Sequence, residues 1–152
     1  MKVIPAREEH YEAVNLMAKQ FIEDEFDMDE PFVSSMHMVE MCASIGVLAL
    51  SMSGEEITGF TAGLTMPFVG NPDVKIMAEM AWWVKPEHRG GRSALALMNY
   101  LEDEAVLQGC AHLSMFSMVN GREAPVERIY GRRGMILRER TFHKRLRSPC
   151  QE

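Results

Sequence analysis

The chain of 152 residues is long enough for one compact domain and short for two. Its 47% hydrophobic and 25% charged residues exclude a collagen-like, coiled-coil or largely disordered protein, and a net charge of −6 argues against nonspecific nucleic-acid binding. No apolar run approaches the roughly 18 residues of a membrane helix, and three cysteines fit a reducing compartment. We therefore expect one cytoplasmic domain over residues 1–152, with neither membrane nor nucleic acid as partner.

The first half of the chain predicts a strand, two helices and a β-hairpin. Apolar residues recur at helical spacing in the two helical segments and form short continuous runs in the strands. An acidic connection, residues 23–31, separates the helices, and Gly54 marks the hairpin turn. The predicted elements are Lys2–Ala6 (strand), Glu8–Ile22 (helix), Phe32–Ala43 (helix), Gly46–Ser53 (strand) and Glu56–Met66 (strand).

The second half predicts strands alternating with helices. A loop at residues 67–72 precedes an apolar central strand, and Gly109 and Gly134 stand where helices end. The predicted elements are Lys75–Val84 (strand), 94–108 (helix), Ala111–Met118 (strand), 125–133 (helix), Met135–Arg138 (strand) and Phe142–Leu146 (strand). The fold class is therefore α/β (α+β), with a mixed central sheet flanked by helices on both faces.

The most informative segment, residues 82–94, runs from a strand through a Gly/Arg loop into a helix. The first amides of a helix lack internal partners and favour anions, and glycines let a phosphate approach closely. Arg89 and Arg92 add donors suited to phosphate. The segment has neither the Walker ending nor the spaced glycines of a dinucleotide fingerprint. From these residues alone, an anion site and a plain strand-to-helix turn are equally consistent.

This segment resembles the signature of the GNAT superfamily of acyl-CoA-dependent N-acetyltransferases, V-x-P-x-x-R-G followed by the rest of a phosphate loop. Val84, Pro86, Arg89, Gly90 and Ala94 match, whereas Arg92 replaces the usual glycine, and the order of elements is similar over nearly the whole chain. The resemblance implies a GNAT-like domain that uses acetyl-CoA as cosubstrate. By resemblance, the cofactor-binding residues are Trp83, Val84, Arg89, Gly90, Gly91, Arg92, Ser93 and Ala94.

Two residues are candidates for catalysis. Tyr130 and Gly134 fit the family's Tyr-x-x-x-Gly motif, whose tyrosine protonates the departing thiolate; otherwise Tyr130 only packs with its helix neighbours. Glu79 lies within an apolar strand, where burial raises a carboxyl pKa towards that of a base working near neutrality. Some family members carry a glutamate here. The alternative for Glu79 is an edge-facing or salt-bridged side chain.

The acceptor side is predicted from charge and from the resemblance. Family acceptors enter over the two N-terminal helices and their connection, which here is acidic and contains Glu25, Phe26 and Asp27 as candidate contacts. A cleft lined by carboxylates concentrates cations, so a cationic amine is favoured, and an ordinary solvated acidic loop is the alternative. The resemblance is also compatible with a homodimer through the C-terminal strands.

Two other readings of the sequence are weaker. The helix at residues 36–42 contains Met, His and Cys, but the chain's 14 methionines favour a methionine-rich core, so we expect no metal site. The replacement of glycine by Arg92 keeps open a non-catalytic GNAT-like module that binds an acyl-CoA or a partner protein. The leading hypothesis is an N-acetyltransferase that moves an acetyl group directly from acetyl-CoA to a primary amine.

Overall fold

The computed structural model describes residues 1–26, 30–121 and 123–146. Within these ranges nine strands and α-helices follow one another along the chain, with single turns of 3-10 helix at Glu8–His10 and Pro86–His88. They are β1 (Lys2–Pro5), α1 (Tyr11–Glu25), α2 (Met36–Ile45), β2 (Gly46–Ser53), β3 (Glu56–Phe68), β4 (Asn71–Val84), α3 (Ser93–Leu107), β5 (Cys110–Ser114) and α4 (Glu123–Arg132).

The five strands form one mixed sheet in chain order. Strands β1 to β4 are antiparallel neighbours, and β5 runs parallel to β4. The β4–β5 ladder begins at Lys75 and ends where Ala78 pairs with Ser114, although β4 itself continues to Val84. The part of β4 nearest its C-terminal end is therefore paired with β3 and not with β5.

Helices cover both faces of the sheet, as the alternation of side chains along β2 requires. Leu48 and Leu50 pack with α1 and α2 in the larger cluster, which includes Phe21 and Trp83. The intervening Val47 faces the opposite way and packs with Leu101 of α3. The predicted fold class, a mixed sheet flanked on both faces, is thus confirmed.

An irregularity in the β3–β4 ladder lies beside Glu79. Ala62 pairs with Ala81, but the next residue of β3, Gly63, pairs with Glu79, so β4 has one extra residue at this point. A Cβ on Gly63 would lie 2.9 Å from side-chain atoms of both Leu101 and Met77. The absence of a side chain at position 63 therefore allows α3 to pack closely against the sheet at the bulge.

The two predicted C-terminal strands, Met135–Arg138 and Phe142–Leu146, are wrong. Residues 135–146 have no regular structure, and apolar side chains such as Leu137 and Phe142 are exposed. A strand needs a partner to hydrogen-bond its backbone, and in the described part of the chain β5 pairs with β4 only.

Several boundaries also differ from the predictions. Helix α1 reaches Glu25, α2 begins at Met36, and the strand predicted over Ala111–Met118 ends at Ser114. The predicted loop at residues 67–72 is mostly strand, because β3 and β4 extend to a short turn at residues 69–70. Among the described residues, no helix is both long and apolar enough to cross a membrane.

Candidate active site

Glu79 is buried at the bulge of β4. Its carboxylate accepts one hydrogen bond, from the backbone N–H of Phe116 at 3.1 Å, and its side chain is only 8% exposed. Burial raises its pKa from 4.5 to about 8, and the bond from Phe116 offsets only part of that effect. The structure thus favours the buried interpretation of Glu79 over an edge-facing or salt-bridged one.

Tyr130 lies near Glu79 although the two are 51 positions apart in the sequence. Its hydroxyl donates to the backbone carbonyl of Phe116 at 2.7 Å, and its ring lies 5.9 Å from that of Trp82. Burial, and secondarily the charge of Glu79, raises the pKa of Tyr130 above its usual value. The two candidate catalytic side chains therefore bind the N–H and the C=O of one residue, Phe116, which the sequence did not single out.

The loop before α3 has the conformation that its glycines allow. Gly90 has a φ of +80°, which a residue with a side chain rarely adopts. Arg92 immediately precedes the helix with an ordinary φ of −86°, so the replacement of glycine there introduces no backbone strain. The side chain of Arg92, the N-cap residue of α3, makes no capping hydrogen bond, and the first amides of the helix remain suited to an anion.

The start of α3 is held against the sheet by two side-chain contacts. The indole N–H of Trp82 donates to the carbonyl of Ala94 at 2.9 Å, and the hydroxyl of Ser93 lies 3.3 Å from that of Thr58. Thr58 in turn lies 2.8 Å from the hydroxyl of Ser51. The Ser93 side chain is thus part of a buried chain of hydroxyl groups, and only its backbone amide is left as a donor for an anion at the loop.

Arg89 points towards the end of α1. Its Nε–H donates to the carbonyl of Val84 at 2.9 Å, and its guanidinium carbon lies 5.6 Å from the centre of the Trp83 ring. The same guanidinium lies 3.5 Å from the carboxylate of Asp24 and 3.9 Å from that of Glu25. Arg89, which the sequence predicts to bind phosphate, therefore also contacts the end of α1, where the acceptor is predicted to enter.

A cleft of about 370 Å³ opens beside Arg89. Side chains from the last turns of α1 and from the end of β4 and the turn after it line the cleft; they are Gln20, Asp24, Trp83, Lys85, Pro86 and Glu87.

The three predicted acceptor contacts are placed differently from one another. Glu25 accepts a hydrogen bond from Asn120 at 2.5 Å as well as facing Arg89, so it connects α1 to the segment after β5. Phe26 packs edge-on against Phe21, with ring centres 5.4 Å apart. Asp27 lies outside the described residues.

The residues present fit an acyl-CoA. The open side of β4 beyond Ala78 offers backbone groups to an extended chain, and the uncapped start of α3 suits a pyrophosphate. Two buried polar atoms, Trp83 Nε1 and Ser117 Oγ, have no hydrogen-bond partner in the described part of the chain. Such atoms are uncommon in a folded protein and often mark a place where a ligand or water binds.

One group of possible metal ligands occurs among the described residues, namely Glu56, Glu87 and His88. The carboxylate of Glu56 already lies 3.3 Å from the ammonium of Lys85 and 3.2 Å from His88 Nε2. A cation from the protein itself therefore occupies this group, and the expectation of no metal remains a prediction.

Comparison with known proteins points to one family. The family model described as the acetyltransferase (GNAT) family matches residues 11–135. No curated protein sequence matches the chain.

Solved structures share the fold over nearly the whole chain. AAC(6')-Iy, in complex with the bisubstrate analogue CoA-S-monomethyl-acetylneamine, is 14% identical with a TM-score of 0.74, and the match covers 97% of this chain and 98% of that one. A Trypanosoma brucei acetyltransferase is 16% identical with a TM-score of 0.73, and the match covers 95% of this chain and 99% of that one. The ribosomal-protein-alanine N-acetyltransferase of Brucella melitensis biovar Abortus 2308 is 12% identical with a TM-score of 0.74, and the match covers 95% of this chain and 98% of that one.

Proposed function

Because the chain belongs to the GNAT acetyltransferase family, we propose that it transfers an acetyl group directly from acetyl-CoA to a primary amine within a ternary complex. Membership makes the protein an acetyl-CoA-dependent acyltransferase. The observation that carries the finer proposal is the convergence of two proton-handling side chains on one residue. Glu79 accepts from the N–H of Phe116, and Tyr130 donates to its C=O.

The coenzyme is proposed to bind along β4 and at the start of α3. The backbone of Trp83 and Val84 would pair with the pantetheine arm as an added strand, since β5 leaves this side of β4 open. The amides of residues 89–94 would hold the pyrophosphate, with Arg89 and Arg92 as charged donors. The bound thioester supplies an activated acetyl group, and residues of the chain would bind the coenzyme and transfer the protons.

Glu79 is proposed as the base. An amine with a pKa near 10 is mostly protonated at neutral pH and cannot attack a thioester until it loses a proton. With a pKa of about 8, ionised Glu79 is a much stronger base than an exposed glutamate, and it becomes ionised as the pH rises through that value. The protonated amine first gives one proton to solvent by way of ionised Glu79. Attack by the neutral amine then forms the C–N bond and breaks the C–S bond, and the second proton lost from nitrogen is left on Glu79.

Tyr130 is proposed to protonate the departing thiolate. Its raised pKa keeps the phenol neutral, and one cause of that shift is the negative charge of Glu79. When Glu79 takes up the amine proton, this charge disappears and Tyr130 becomes a better donor. The proton lost from nitrogen during the attack is thus balanced by the proton gained by sulfur, the ammonium proton having already passed to solvent, and the proton on Glu79 can return to Tyr130 afterwards.

Calorimetric titration with acetyl-CoA and then CoA tests the binding part of the proposal. We expect Arg89→Ala to weaken both ligands by about tenfold, the loss of one charge-assisted contact. Arg128→Ala is the matched control, because Arg128 is an exposed arginine of α4 whose Nε–H donates to the local carbonyl of Ala124. Equal weakening in both variants would contradict a specific role for Arg89.

An acetylation assay over a library of primary amines tests the chemical part. Catalysis lost in Glu79→Gln and Tyr130→Phe, with the affinity for CoA retained, would support the proposed roles. If the protein binds acetyl-CoA but acetylates no amine, the non-catalytic acyl-CoA-binding module becomes the better description.

A further inference from the structure

Trp82 is a large aromatic residue outside the two hydrophobic core clusters of the described chain. Those clusters include Trp83, the next residue of β4, but not Trp82. Neighbouring side chains of a strand point to opposite faces, and Trp82 lies on the face that α3 covers. Its side chain is only partly buried there. Core packing therefore does not account for a tryptophan at this position.

The indole N–H of Trp82 connects β4 to the start of α3. It donates to the carbonyl of Ala94 at 2.9 Å, and Ala94 is the second residue of that helix. The first amides of α3 are the groups proposed to hold the pyrophosphate of the coenzyme. One edge of Trp82 is thus bonded to the segment that would fix the charged end of that ligand.

The ring of Trp82 lies against Tyr130. The two ring centres are 5.9 Å apart, and their planes are inclined by 33°. Aromatic rings at this separation attract each other beyond the effect of burial. Tyr130 is the proposed proton donor to the thiolate. A single side chain therefore contacts both the proposed phosphate end and the proposed thiol end of the coenzyme site.

Tyr130 depends on this contact because its helix is weakly anchored. No residue of α4 is fully buried, so core packing alone does not fix the helix. Its other contacts include the hydrogen bond from Tyr130 to the carbonyl of Phe116 and the ion pair between Arg133, just after the helix, and Glu102. That ion pair is exposed, and exposed pairs contribute little to stability. The ring of Trp82 is thus a major part of what holds the phenol in place.

We propose that Trp82 is a positioning residue, which sets the distance between the start of α3 and the phenol of Tyr130. A coenzyme held by its pyrophosphate at α3 then has its sulfur next to the proton donor. The inference rests on the proposed function, because it deepens how the same site aligns the two ends of one ligand. Proton donation requires hydrogen-bond distance between donor and acceptor, so a displacement of about 1 Å slows the reaction. Trp82 acts through Tyr130 and not on the reacting atoms.

Two variants separate the ring of Trp82 from its N–H. Trp82→Leu removes both, whereas Trp82→Phe keeps a ring for Tyr130 and removes only the N–H. We expect kcat to fall by about tenfold in Trp82→Leu and to stay within about threefold of wild type in Trp82→Phe. Tyr100→Leu is the matched control, because Tyr100 is a partly buried aromatic residue of α3 that packs with the smaller core cluster.

The acidity of the thiol gives a readout that a loss of packing alone would not move. A more acidic thiol needs less proton donation as it leaves. A loss caused by a displaced Tyr130 should therefore shrink across a series of thioesters of increasingly acidic thiols. Adding Trp82→Leu to Tyr130→Phe should cause little further loss. An equal loss for all thiols, a full further loss without the phenol, or an equal loss in Tyr100→Leu would overturn the inference.

Two measurements need no chemistry. Calorimetric titration should show that Trp82→Phe binds CoA about threefold more weakly than wild type, and that Tyr100→Leu binds it equally well. In the ligand-free protein, backbone amides of residues 127–132 in α4 should exchange with deuterium faster in Trp82→Leu but not in Trp82→Phe. Wild-type affinity in Trp82→Phe, or unchanged exchange of α4 in Trp82→Leu, would contradict the positioning role.

The failure of this inference can be told apart from the failure of the proposed function. Weaker CoA binding in Trp82→Phe and faster exchange of α4 in Trp82→Leu, in a protein that acetylates no amine, would keep the positioning role and overturn the acetyltransferase proposal. Acetylation of amines with a loss in Trp82→Leu that is the same for all thiols would overturn the positioning role and keep the proposal.

Discussion

The pKa values of two carboxyl groups, one at the buried end of the candidate site and one at its exposed end, are shifted in opposite directions. At the interior end, Glu79 is buried with no positive partner among the described residues, and its pKa rises to about 8. Beside the cleft, in the pair of Glu56 with the cleft residue Lys85 that we call the mouth, exposed Glu56 accepts hydrogen bonds from His88 and Lys85, which lower its pKa. Burial without a counter-charge moves a proton equilibrium towards the neutral form, whereas an exposed pair keeps its charge and can exchange partners. The interior end therefore suits proton transfer, and the mouth suits recognition.

The largest effect is expected from removing the base at the interior end. Glu79→Gln keeps an oxygen for the N–H of Phe116 but cannot take up a proton, so kcat/KM should fall by about 10² to 10⁴-fold. The wild-type rate should rise with pH through an apparent pKa near 8. Steady-state kinetics over a pH series measures both. A variant with an unchanged rate and the same pH profile would show that another group is the base.

The next largest effect concerns the acid. Tyr130→Phe removes the hydroxyl that donates to Phe116 while leaving the ring against Trp82. We expect kcat to fall by roughly 10²-fold, with a smaller loss for acyl donors whose thiols are more acidic, because such leaving groups need less help from a proton. The comparison uses a series of thioesters. An equal loss across the series would argue for a positioning role.

The buried carboxyl also makes stability depend on pH. Between pH 4.5 and about 8 the folded protein retains a proton on Glu79 that the unfolded chain has released, so the free energy of unfolding falls as pH rises through this interval. Above the folded pKa, Glu79→Gln should be more stable than wild type by roughly 1–3 kcal/mol. Denaturant titrations on either side of that pKa measure the difference. Parallel pH profiles for the two proteins would contradict it.

The smallest effect is expected at the mouth. Glu56→Gln removes the carboxylate shared by Lys85 and His88, but this carboxylate is half-exposed. Water replaces the lost contacts there, so Tm should remain within the error of calorimetry and kcat should not change. A large fall in Tm would mean that the mouth is structurally coupled to the interior, and the contrast between the two ends would fail.

Local patterns in the sequence predicted most of the fold. Strand β2 has the predicted bounds, Gly46–Ser53, because it is a continuous apolar run ended by a turn. Strand β4 begins at Asn71, earlier than predicted. The prediction missed its first residues because they are polar and exposed and show no apolar pattern. Phe142–Leu146 was predicted as a strand although its three middle residues are basic, and strand pairing depends on a partner that the segment's own sequence does not reveal.

The candidate site was predicted less completely. Residue types and the family motif pointed to Glu79, Tyr130 and the loop at residues 89–94. Phe116 could not be found, because it contributes only backbone groups, which every residue has. The direction of the Arg89 side chain could not be predicted from the sequence either, because it depends on where the end of α1 lies relative to β4.

The early end of the β4–β5 ladder has a thermodynamic consequence. If the pantetheine arm completes the sheet beyond Ala78, the coenzyme acts as a removable strand, and the folded state gains stability in proportion to its occupancy. At a free concentration of about one hundred times Kd the gain is about 2.7 kcal/mol. Backbone amides of residues 80–84 that face the gap should then exchange with solvent deuterium more slowly when acetyl-CoA is present, and the exchange rate would report how much of the protein is loaded.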